Sequence, residues 1–355
     1  MARKIKIVQY GCGKMGRLIM AYALKKGCDI VAAFDADSQL WGCDIGDIIA
    51  LRPLGITIKP AYTADLTLSS LEADILVIAT ESGLKDVAPL YRLAISHGLN
   101  AISTAEEALF PWNSAPFLAE ELAVEAKKAH CTISASGYND FAWGLMAQSL
   151  ASVCANIRLI RGASMYNVAD YGAALCRSHG LGLSEAEFNR VLGCYNDLNS
   201  SALTKLIQDG LFSPSYMWNQ NAWLASALGL NIIGQTQRLT PYIAKSPHVC
   251  QPLALTITPG KVSGLKAEVM TETAEGVTII SENSGKIFET KDEDYNRWSI
   301  TGEPSLSFDM ALPPTSRLTA GAIVARIPQI INAYPGYLTT DKLPLPTFSP
   351  LPLSL

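Results

Sequence analysis

The chain opens with a pattern of apolar positions that predicts a strand followed by a helix. The run from Lys4 to Tyr10 is apolar and rich in β-branched residues, which is typical of a buried strand. Apolar residues then recur at spacings of three and four from Met15 to Tyr22, which predicts a helix that ends at Gly27. A glycine-rich turn lies between them. This order predicts the first unit of a doubly wound α/β fold.

The same alternation of strands and helices continues as far as residue 150. Short apolar runs predict five further strands, near residues 30–34, 56–58, 74–79, 100–103 and 131–135. Amphipathic stretches predict helices at 84–97 and 116–128, and a helix after residue 140 with Phe141, Leu145, Met146 and Leu150 on one face. Six strands with intervening helices predict a Rossmann domain with a parallel sheet over residues 1–150.

The pattern changes after residue 150 and predicts a second domain of the α+β class over residues 151–312. A strand at 157–167 precedes a mostly helical region, in which Ser184 to Glu187 forms a capping box. Five alternating runs predict an open mixed or antiparallel sheet, at 253–258, 265–272, 276–282, 295–301 and 305–310. A helix at 316–333 and an extended Pro/Leu-rich tail form a third segment, 313–355, which we expect to return to the Rossmann domain.

The glycine-rich turn Gly11 to Gly16 predicts a dinucleotide site. In a G-x-G-x-x-G turn the first glycine permits a tight bend, the second lets a pyrophosphate approach, and the third lets the helix pack closely. Asp35 ends the second strand, about 20 residues after Gly16, where an acid binds the ribose hydroxyls. The alternative is an ordinary βαβ turn with a chance aspartate. The candidate cofactor residues are Gly11, Cys12, Gly13, Lys14, Met15, Gly16, Asp35, Thr80, Ser82 and Asn139.

The charge of Asp35 predicts which nicotinamide cofactor is preferred. Its carboxylate repels the additional phosphate of NADP(H), so we expect NAD(H) to be preferred. NADP(H) stays open because Ser38 could accept a phosphate nearby. Lys14 and Arg17 either meet the phosphates or are ordinary solvated helix charges, and Cys12 is interpreted as a small loop residue and not as a nucleophile.

Composition excludes several classes of function. The 355 residues are 49% hydrophobic and 17% charged, with net charge −4 and no basic run, so we expect a globular protein and no nucleic-acid partner. No segment resembles a membrane span or a signal peptide. The eight cysteines are scattered, which predicts reduced thiols in the cytoplasm. The four histidines lack metal-ligand spacing, so we predict no metal site.

Two groups of residues are candidates for chemistry. Glu106 and Glu107 follow a strand whose carboxyl end should face the cofactor, where one carboxyl could act as general acid and base. Chemistry alone does not separate this role from two glutamates stabilising a helix N-terminus. Four aromatic residues near strand ends either line a substrate pocket or pack in the core; they are Tyr138, Trp143, Tyr166 and Tyr171.

Three further motifs resemble one family of dehydrogenases. They are Ile102 to Glu107 with Pro111-Trp112, the turn Ser136 to Asn139, and the stretch Arg326 to Gly336 with Leu343-Pro344. Together with the glycine turn, they are similar to the 2,4-diaminopentanoate dehydrogenases and the native NAD(P)H-dependent amine dehydrogenases. That family has an N-terminal domain like that of dihydrodipicolinate reductase. The resemblance spans nearly the whole chain and is weakest between residues 170 and 260.

The resemblance implies an activity, an assembly and specific roles for residues. It implies a homodimer that aminates a ketone or aldehyde with ammonia and deaminates the amine in reverse. It places the essential glutamate at Glu106 and pocket aromatics at Trp143, Tyr166 and Tyr171. The chain departs from the family's Asn-Pro pattern, since Asp140 follows Asn139. This departure and the bulky Trp143 favour a small uncharged carbonyl compound over a charged diamino acid.

Three other functions remain compatible with the sequence. The first is 2,4-diaminopentanoate dehydrogenase proper. The second is an NAD(P)-dependent reductase of a preformed imine or of a carbonyl compound, which would not need ammonia. The third is of another class, a redox sensor that binds NAD(P) without turnover and has no use for a carboxyl group over the nicotinamide.

Overall fold

A computed structural model describes residues 3–354, which form two compact units. The first unit contains the described residues up to Trp112, residues Phe117–Phe141, and the described residues from Thr315 onward. The second unit contains Asn113–Pro116 and Ala142–Pro314. The first unit thus gives way to the second at residue 141, where the sequence analysis placed the change at 150, and the chain rejoins the first unit at Thr315.

The described residues contain strands, α-helices and one π-helix. The strands are β1 (Lys6–Tyr10), β2 (Asp29–Asp35), β3 (Ile58–Pro60), β4 (Ile75–Ile78), β5 (Asn100–Ser103), β6 (Thr132–Ala135), β7 (Asn156–Asn167), β8 (Ile232–Ile243), β9 (His248–Cys250), β10 (Leu255–Ile257), β11 (Val262–Thr273), β12 (Thr278–Lys286), β13 (Tyr295–Glu303), β14 (Leu306–Ala311) and β15 (Gly336–Tyr337). The helices are α1 (Lys14–Lys25), α2 (Ile45–Ile48), α3 (Ala64–Leu68), α4 (Leu84–Ser96), α5 (Pro116–Lys128), α6 (Met146–Ala151), α7 (Ala173–Ser178), α8 (Glu185–Val191), α9 (Ser200–Gln208), α10 (Tyr216–Ala227) and α11 (Thr315–Ile331). The π-helix is Asn139–Leu145.

The first unit is built on a seven-stranded sheet in the order β15-β6-β5-β4-β1-β2-β3. Every neighbouring pair of its strands is parallel. All four residues of β4 are buried, as expected for a strand covered on both faces. The Rossmann architecture is therefore confirmed, and the tail contributes β15 as a seventh strand beyond the six that the sequence predicted.

The core of the first unit joins the sheet to helices from both ends of the chain. Helices α1 and α11 pack against each other beside the sheet. Their buried side chains, such as Ile19 on α1 and Ile323 and Ile327 on α11, share one apolar cluster with Ile7 on β1. The amphipathic pattern of residues 316–333 predicted this helix, and its buried face explains why that pattern is present.

One buried ion pair connects the turn after β6 to α11. The guanidinium of Arg326 donates from Nε to Asp140 Oδ2 (2.8 Å) and from Nη2 to Asp140 Oδ1 (2.9 Å). The Ser136 hydroxyl also donates to Asp140 Oδ2 (2.7 Å), and Arg326 Nη1 donates to the Pro344 carbonyl oxygen (2.8 Å). Both charged side chains are almost fully buried. A two-point arginine–carboxylate contact fixes orientation as well as distance, so it holds turn, helix and tail in one geometry.

The second unit is built on a six-stranded sheet in the order β14-β13-β7-β12-β11-β8, with β9 and β10 as a separate pair. Strands β7 and β12 are parallel, whereas the other neighbours in this sheet are antiparallel. The predicted mixed sheet is therefore confirmed. The sequence predicts helices in the region of β8, and this prediction is wrong, because the middle of this edge strand carries polar residues such as Gln235, Gln237 and Arg238.

The chain after β6 also differs from the regular helix that the sequence predicted. It forms the π-helix first and then α6, and only Leu145 of the four predicted face residues is buried. A π-helix has more residues per turn than an α-helix, so a spacing of four no longer keeps side chains on one face. The predicted capping box is confirmed, since Ser184 and Glu187 bond each other's backbone N–H at the start of α8.

We expect Arg326→Met to lower the free energy of unfolding by about 3–5 kcal/mol, because it leaves the Asp140 carboxylate buried without its counter-charge. Urea denaturation followed by circular dichroism measures this loss. Arg92→Met is the matched control, since Arg92 pairs with Glu121 and Glu125 at the surface and its removal should cost no more than about 1 kcal/mol. Equal losses in the two variants would contradict the importance of the buried pair.

Candidate active site

The glycine turn after β1 has the geometry that a dinucleotide requires. Gly11 has a φ of +89°, and a Cβ atom there would collide with the Ala79 carbonyl oxygen, so only glycine fits. A Cβ on Gly16 would collide with the Gly11 carbonyl oxygen, which shows how closely α1 approaches the turn. No atom lies within 4 Å of the position where a Cβ on Gly13 would be. The outer side of the turn is therefore open to a ligand.

The N-terminus of α1 is suited to bind an anion. Gly13 occupies the N-cap position, where no side chain hydrogen-bonds to the helix, and the first turn of α1 carries no acidic residue. Backbone N–H groups and the helix dipole at such an end favour a phosphate group. Lys14 and Met15 begin the helix, whereas Arg17 Nε donates to the Cys12 carbonyl oxygen (3.1 Å) and so helps to hold the turn.

Asp35 lies at the end of β2 and contacts the glycine turn directly. Its Oδ2 accepts a hydrogen bond from the Cys12 N–H (2.5 Å), and its Oδ1 accepts one from the Asp37 N–H (2.8 Å). This position beside the turn fits a carboxylate that binds ribose hydroxyls. Burial, with a smaller contribution from Asp35, raises the pKa of the Cys12 thiol to about 12, so Cys12 stays protonated and poorly nucleophilic at neutral pH.

Parallel strands bring the other candidates of the first unit to the same edge of the sheet. Thr80 and Ser82 follow β4, Glu106 follows β5, and Tyr138 and Asn139 follow β6. Thr80 is exposed and the other four are half-buried. Ligands of α/β proteins bind at the carboxyl edge of the sheet, where these side chains and the glycine turn lie. The residues present therefore fit a dinucleotide cofactor.

The two adjacent glutamates have different environments. Glu107 Oε2 accepts a hydrogen bond from the Leu84 N–H (2.7 Å), so Glu107 caps the N-terminus of α4. Burial raises the pKa of Glu106 to about 7, while a hydrogen bond with Ser82 opposes this rise. A carboxyl group with a pKa near neutrality can both accept and release a proton at working pH. The structure thus separates two residues that sequence chemistry could not rank.

Two of the predicted pocket aromatics meet in the second unit. The rings of Tyr166 and Tyr171 lie 5.5 Å apart, edge to face. Tyr166 OH is 2.6 Å from His179 Nε2, and His179 Nδ1 is 2.8 Å from the Leu175 carbonyl oxygen. Because a carbonyl oxygen only accepts, Nδ1 donates to it and Nε2 accepts from the tyrosine. Burial lowers the pKa of His179 to about 4, so the imidazole is neutral at pH 7.

His179 and Tyr216 belong to this aromatic cluster, and the sequence analysis missed both. Their rings lie 6.2 Å apart, and Tyr216 OH is 3.0 Å from Ser178 Oγ. In the sequence, His179 is one of four histidines that lack metal-ligand spacing, and nothing else there suggests a role for it. No local pattern marks either residue, because Tyr216 comes from α10 and His179 follows α7.

The third predicted aromatic, Trp143, lies in the core of the second unit. Its ring packs edge to face against Trp298, with centroids 5.1 Å apart. A Cβ on Gly162 would lie 2.6 Å from the Trp143 ring and 2.7 Å from that of Trp298, so glycine is needed beneath both indoles. The Trp298 indole N–H donates to the Ala142 carbonyl oxygen (2.8 Å). These contacts hold the Trp143 ring rigidly. This is compatible both with a ring that lines a substrate pocket and with one that only packs in the core.

Comparison with known proteins connects this arrangement to a family. The model of the 2,4-diaminopentanoate dehydrogenase C-terminal domain matches residues 141–349. The chain belongs to the 2,4-diaminopentanoate dehydrogenase family. A 2,4-diaminopentanoate dehydrogenase of Acetoanaerobium sticklandii is 25% identical over 348 residues, which cover 97% of this chain and 94% of that protein.

Solved structures agree with membership of the 2,4-diaminopentanoate dehydrogenase family. An amine dehydrogenase from Mycobacterium smegmatis is 32% identical, covers 98% of each chain and superposes with a TM-score of 0.89. GenD2 from gentamicin A biosynthesis, in complex with NAD, shares the fold at 15% identity and a TM-score of 0.50, over 87% of this chain and 73% of that one. The chain is accordingly an NAD(P)-dependent oxidoreductase that acts on CH–NH2 groups.

Two features are absent from residues 3–354. These residues contain no group of three or more His, Cys, Asp or Glu residues placed to hold a metal ion. No helix in this range is long and apolar enough to cross a membrane. The eight cysteines are all free thiols.

We expect Glu107→Gln to weaken the N-terminus of α4 and to leave catalysis largely intact. Losing the carboxylate cap on Leu84 should lower the free energy of unfolding by about 1 kcal/mol, because capping hydrogen bonds have energies in that range. Thermal unfolding and steady-state turnover of the purified variant measure the two effects. A loss of turnover of a hundredfold or more in this variant would contradict the assignment of Glu107 as a structural residue.

Proposed function

We propose that this amine dehydrogenase aminates a small uncharged ketone or aldehyde with ammonia, reversibly, and uses NAD(H) in preference to NADP(H). The observation that carries this proposal is Glu106, a carboxyl group at the carboxyl edge of the Rossmann sheet with a pKa near 7. A redox sensor has no use for such a group. Reductive amination needs one, because protons must move both when ammonia adds and when water leaves.

The proposed mechanism assigns the proton transfers to Glu106. The carboxylate accepts a proton as ammonia attacks the carbonyl carbon and passes it to the carbonyl oxygen, which gives a neutral carbinolamine. Glu106 then takes up a proton from solvent and donates it to the hydroxyl group as that group leaves as water. The product of these steps is an iminium ion, which accepts hydride better than the ketone because it carries positive charge. That hydride would come from a reduced nicotinamide cofactor held by the glycine turn. Ser82, whose hydroxyl hydrogen-bonds Glu106, orients the carboxyl group and favours its ionised form.

The cofactor residues in this proposal are those of the glycine turn and the adjacent strand ends. The turn Gly11-Cys12-Gly13-Lys14-Met15-Gly16 would hold the pyrophosphate at the start of α1. Asp35 would bind the ribose hydroxyls and disfavour a 2′-phosphate. Thr80, Ser82 and Asn139 follow neighbouring strands, and Asn139 is the group proposed to bind the nicotinamide carboxamide.

The proposed substrate residues are the aromatic side chains Tyr138, Trp143, Tyr166 and Tyr171. Their rings suit an apolar carbon chain, and the Tyr166–His179 hydrogen bond leaves this cluster with no charged group of its own. Asp140 departs from the family pattern, and this departure suggested an uncharged substrate. In the structure the Asp140 carboxylate accepts hydrogen bonds from Arg326 and Ser136. The preference for an uncharged substrate therefore rests on the aromatic cluster and not on Asp140.

Two enzymatic alternatives differ from the proposal in what they need. A reductase of a preformed imine or of a carbonyl compound would turn over without ammonia. The 2,4-diaminopentanoate dehydrogenase activity would require binding of a charged diamino acid.

A homodimer in the cytoplasm is also part of the proposal. It is supported by the resemblance to the family and by the scattered free thiols.

We expect Glu106→Gln to lower the rate of reductive amination about a hundredfold to ten-thousandfold, because glutamine cannot exchange the proton. Oxidation of NADH is measured with small ketones and aldehydes in ammonium buffer and in a matched ammonia-free buffer. At constant free ammonia, the wild-type rate should fall as the pH drops below about 7, since protonated Glu106 cannot accept a proton. The variant should lose this dependence.

Glu107→Gln is the matched control for this experiment, because it makes the same chemical change at the adjacent position. Turnover only with both carbonyl compound and ammonia would support the proposal. Turnover without ammonia would replace it with a carbonyl or imine reductase. Full activity of Glu106→Gln would remove Glu106 from the mechanism, and NADH binding without turnover of any carbonyl compound would favour the sensor.

We expect Asp35→Ser to reduce the preference for NADH over NADPH by about tenfold or more, because it removes the carboxylate that repels a 2′-phosphate. The ratio of kcat/KM for the two cofactors, at saturating ketone and ammonia, measures this preference. Asp37→Ser is the control. It also removes a negative charge close to the site, but the Asp37 carboxylate does not contact the glycine turn. An unchanged ratio in Asp35→Ser would show that another residue sets cofactor choice.

A further inference from the structure

Two buried amide side chains in the second unit make no hydrogen bonds within residues 3–354. They are Gln220 on α10, which is 1% exposed, and Asn296 on β13, which is 0% exposed. Neither the amide nitrogen nor the amide oxygen of either side chain has a partner. A buried polar group without a hydrogen bond costs free energy, so each such amide needs a partner such as a ligand or an ordered water.

The two residues beside Gln220 on α10 do make hydrogen bonds with their amides. Asn221, next to Gln220, donates to Thr271 Oγ1 (3.1 Å) and accepts from the Ser281 hydroxyl (2.5 Å). Asn219, on its other side, donates to Ser114 Oγ (2.9 Å). Gln220 and Asn296 differ from them in that neither atom of either amide has a hydrogen-bond partner in the described residues.

Asn296 lies on the inward face of the six-stranded sheet, between two of the proposed pocket aromatics. It is paired in register with Ser164, and two residues further along the strands Trp298 is paired with Gly162, against which Trp143 packs. In the other direction along β7, the next residue on this face is Tyr166. The position of Asn296 is thus bracketed by Tyr166 on one side and the Trp143–Trp298 pair on the other.

Gln220 is bracketed by the same two groups from the helix above the sheet. It lies one turn after Tyr216, whose ring is 6.2 Å from that of His179, the partner of Tyr166. It lies one turn before Trp223, whose ring would be 2.7 Å from a Cβ on Gly144, the residue after Trp143. Helix α10 packs against β11, β12 and β8 of the sheet that carries Asn296.

The chemistry of the two amides defines the group that would satisfy them. Each offers one donor nitrogen and one acceptor oxygen and carries no charge. A carboxylate would leave the oxygens unpaired, and an ammonium group would leave the nitrogens unpaired. The surrounding inward-facing residues are also uncharged; they are Ile160, Gly162, Ser164, Ile279, Ser281, Asn283, Trp298 and Ile300. A hydroxyl is the smallest neutral group that both donates and accepts, and it can accept from both amide nitrogens while it donates to one of the two oxygens.

We propose that Gln220 and Asn296 form a polar subsite that binds a hydroxyl group of the substrate, so that the preferred carbonyl compounds are hydroxyketones or hydroxyaldehydes and the products are amino alcohols. This inference rests on the proposed function, since it assumes that the substrate is a carbonyl compound that the enzyme aminates. Both residues act as specificity-determining residues. They favour substrates that carry a hydroxyl group in addition to the carbonyl group.

The test compares substrates of equal size that differ only in the hydroxyl. Hydroxyacetone is compared with butan-2-one, and 4-hydroxybutan-2-one with pentan-2-one, by NADH oxidation in ammonium buffer. We expect kcat/KM to be about tenfold or more higher for the hydroxyl-bearing member of at least one pair. Gln220→Met and Asn296→Leu replace each amide with an apolar side chain and should each reduce this ratio about tenfold, because the hydroxyl loses its hydrogen-bond partner.

Gln235→Met is the matched control, because the amide of Gln235 is bonded within the protein. Its nitrogen donates to the Trp218 carbonyl oxygen (2.9 Å) and its oxygen accepts from Asn113 (2.7 Å). This variant should keep the hydroxyl preference even if it is less stable. An unchanged preference in Gln220→Met and Asn296→Leu, or none in the wild type, would overturn the inference and leave ordered water as the partner of the amides.

A binding measurement separates failure of this inference from failure of the proposed function. Tryptophan fluorescence of the wild type and variants is titrated, in the presence of NAD, with 2-aminopropan-1-ol and with 2-aminobutane. Tighter binding of the amino alcohol, lost in Gln220→Met and Asn296→Leu, supports the subsite even if no carbonyl compound is turned over. Equal binding of the two amines overturns the subsite even if reductive amination is observed.

Discussion

The ion pair between Asp140 and Arg326 is the interaction on which the geometry of the nucleotide-binding unit depends. The two charges are buried, so each needs the other, and their two hydrogen bonds leave little freedom of orientation. Asp140 follows Asn139 directly, at the start of the π-helix, while Arg326 also bonds the Pro344 carbonyl oxygen of the tail. A single contact thus sets the position of a proposed cofactor residue and of the segment that supplies the seventh strand.

Three acidic residues at the carboxyl edge of the sheet have different surroundings. Asp35 accepts hydrogen bonds from two backbone N–H groups, and Glu107 accepts one at the start of α4. Burial raises the pKa of Glu106 toward neutrality. Three acids within one edge therefore have different surroundings, and the pKa of Glu106 suits it to exchange protons.

The sequence predicted what depends on residues close together in the chain. The glycine turn, the helix after it and the capping box at Ser184 were recognised because strand, turn and helix signals are local. Glu106 and Glu107 could not be ranked, since a hydrogen bond from Leu84, 23 positions away, separates them. The partner of Asp140 is 186 positions away, and the polar edge strand β8 lacks the apolar pattern of a buried strand. Long-range pairing decides these features, and periodicity does not report it.

The division of the chain between the two units has a consequence for its synthesis. Helix α11 and β15 of the first unit are encoded after the whole second unit, although β1 is encoded first. A ribosome releases the N-terminal part of the chain first, and most multidomain proteins complete their N-terminal domain first. Here the second unit is fully released while the first still lacks Arg326. The apolar face that α11 later covers is then exposed in the nascent chain. Such a face is a surface that a chaperone would bind.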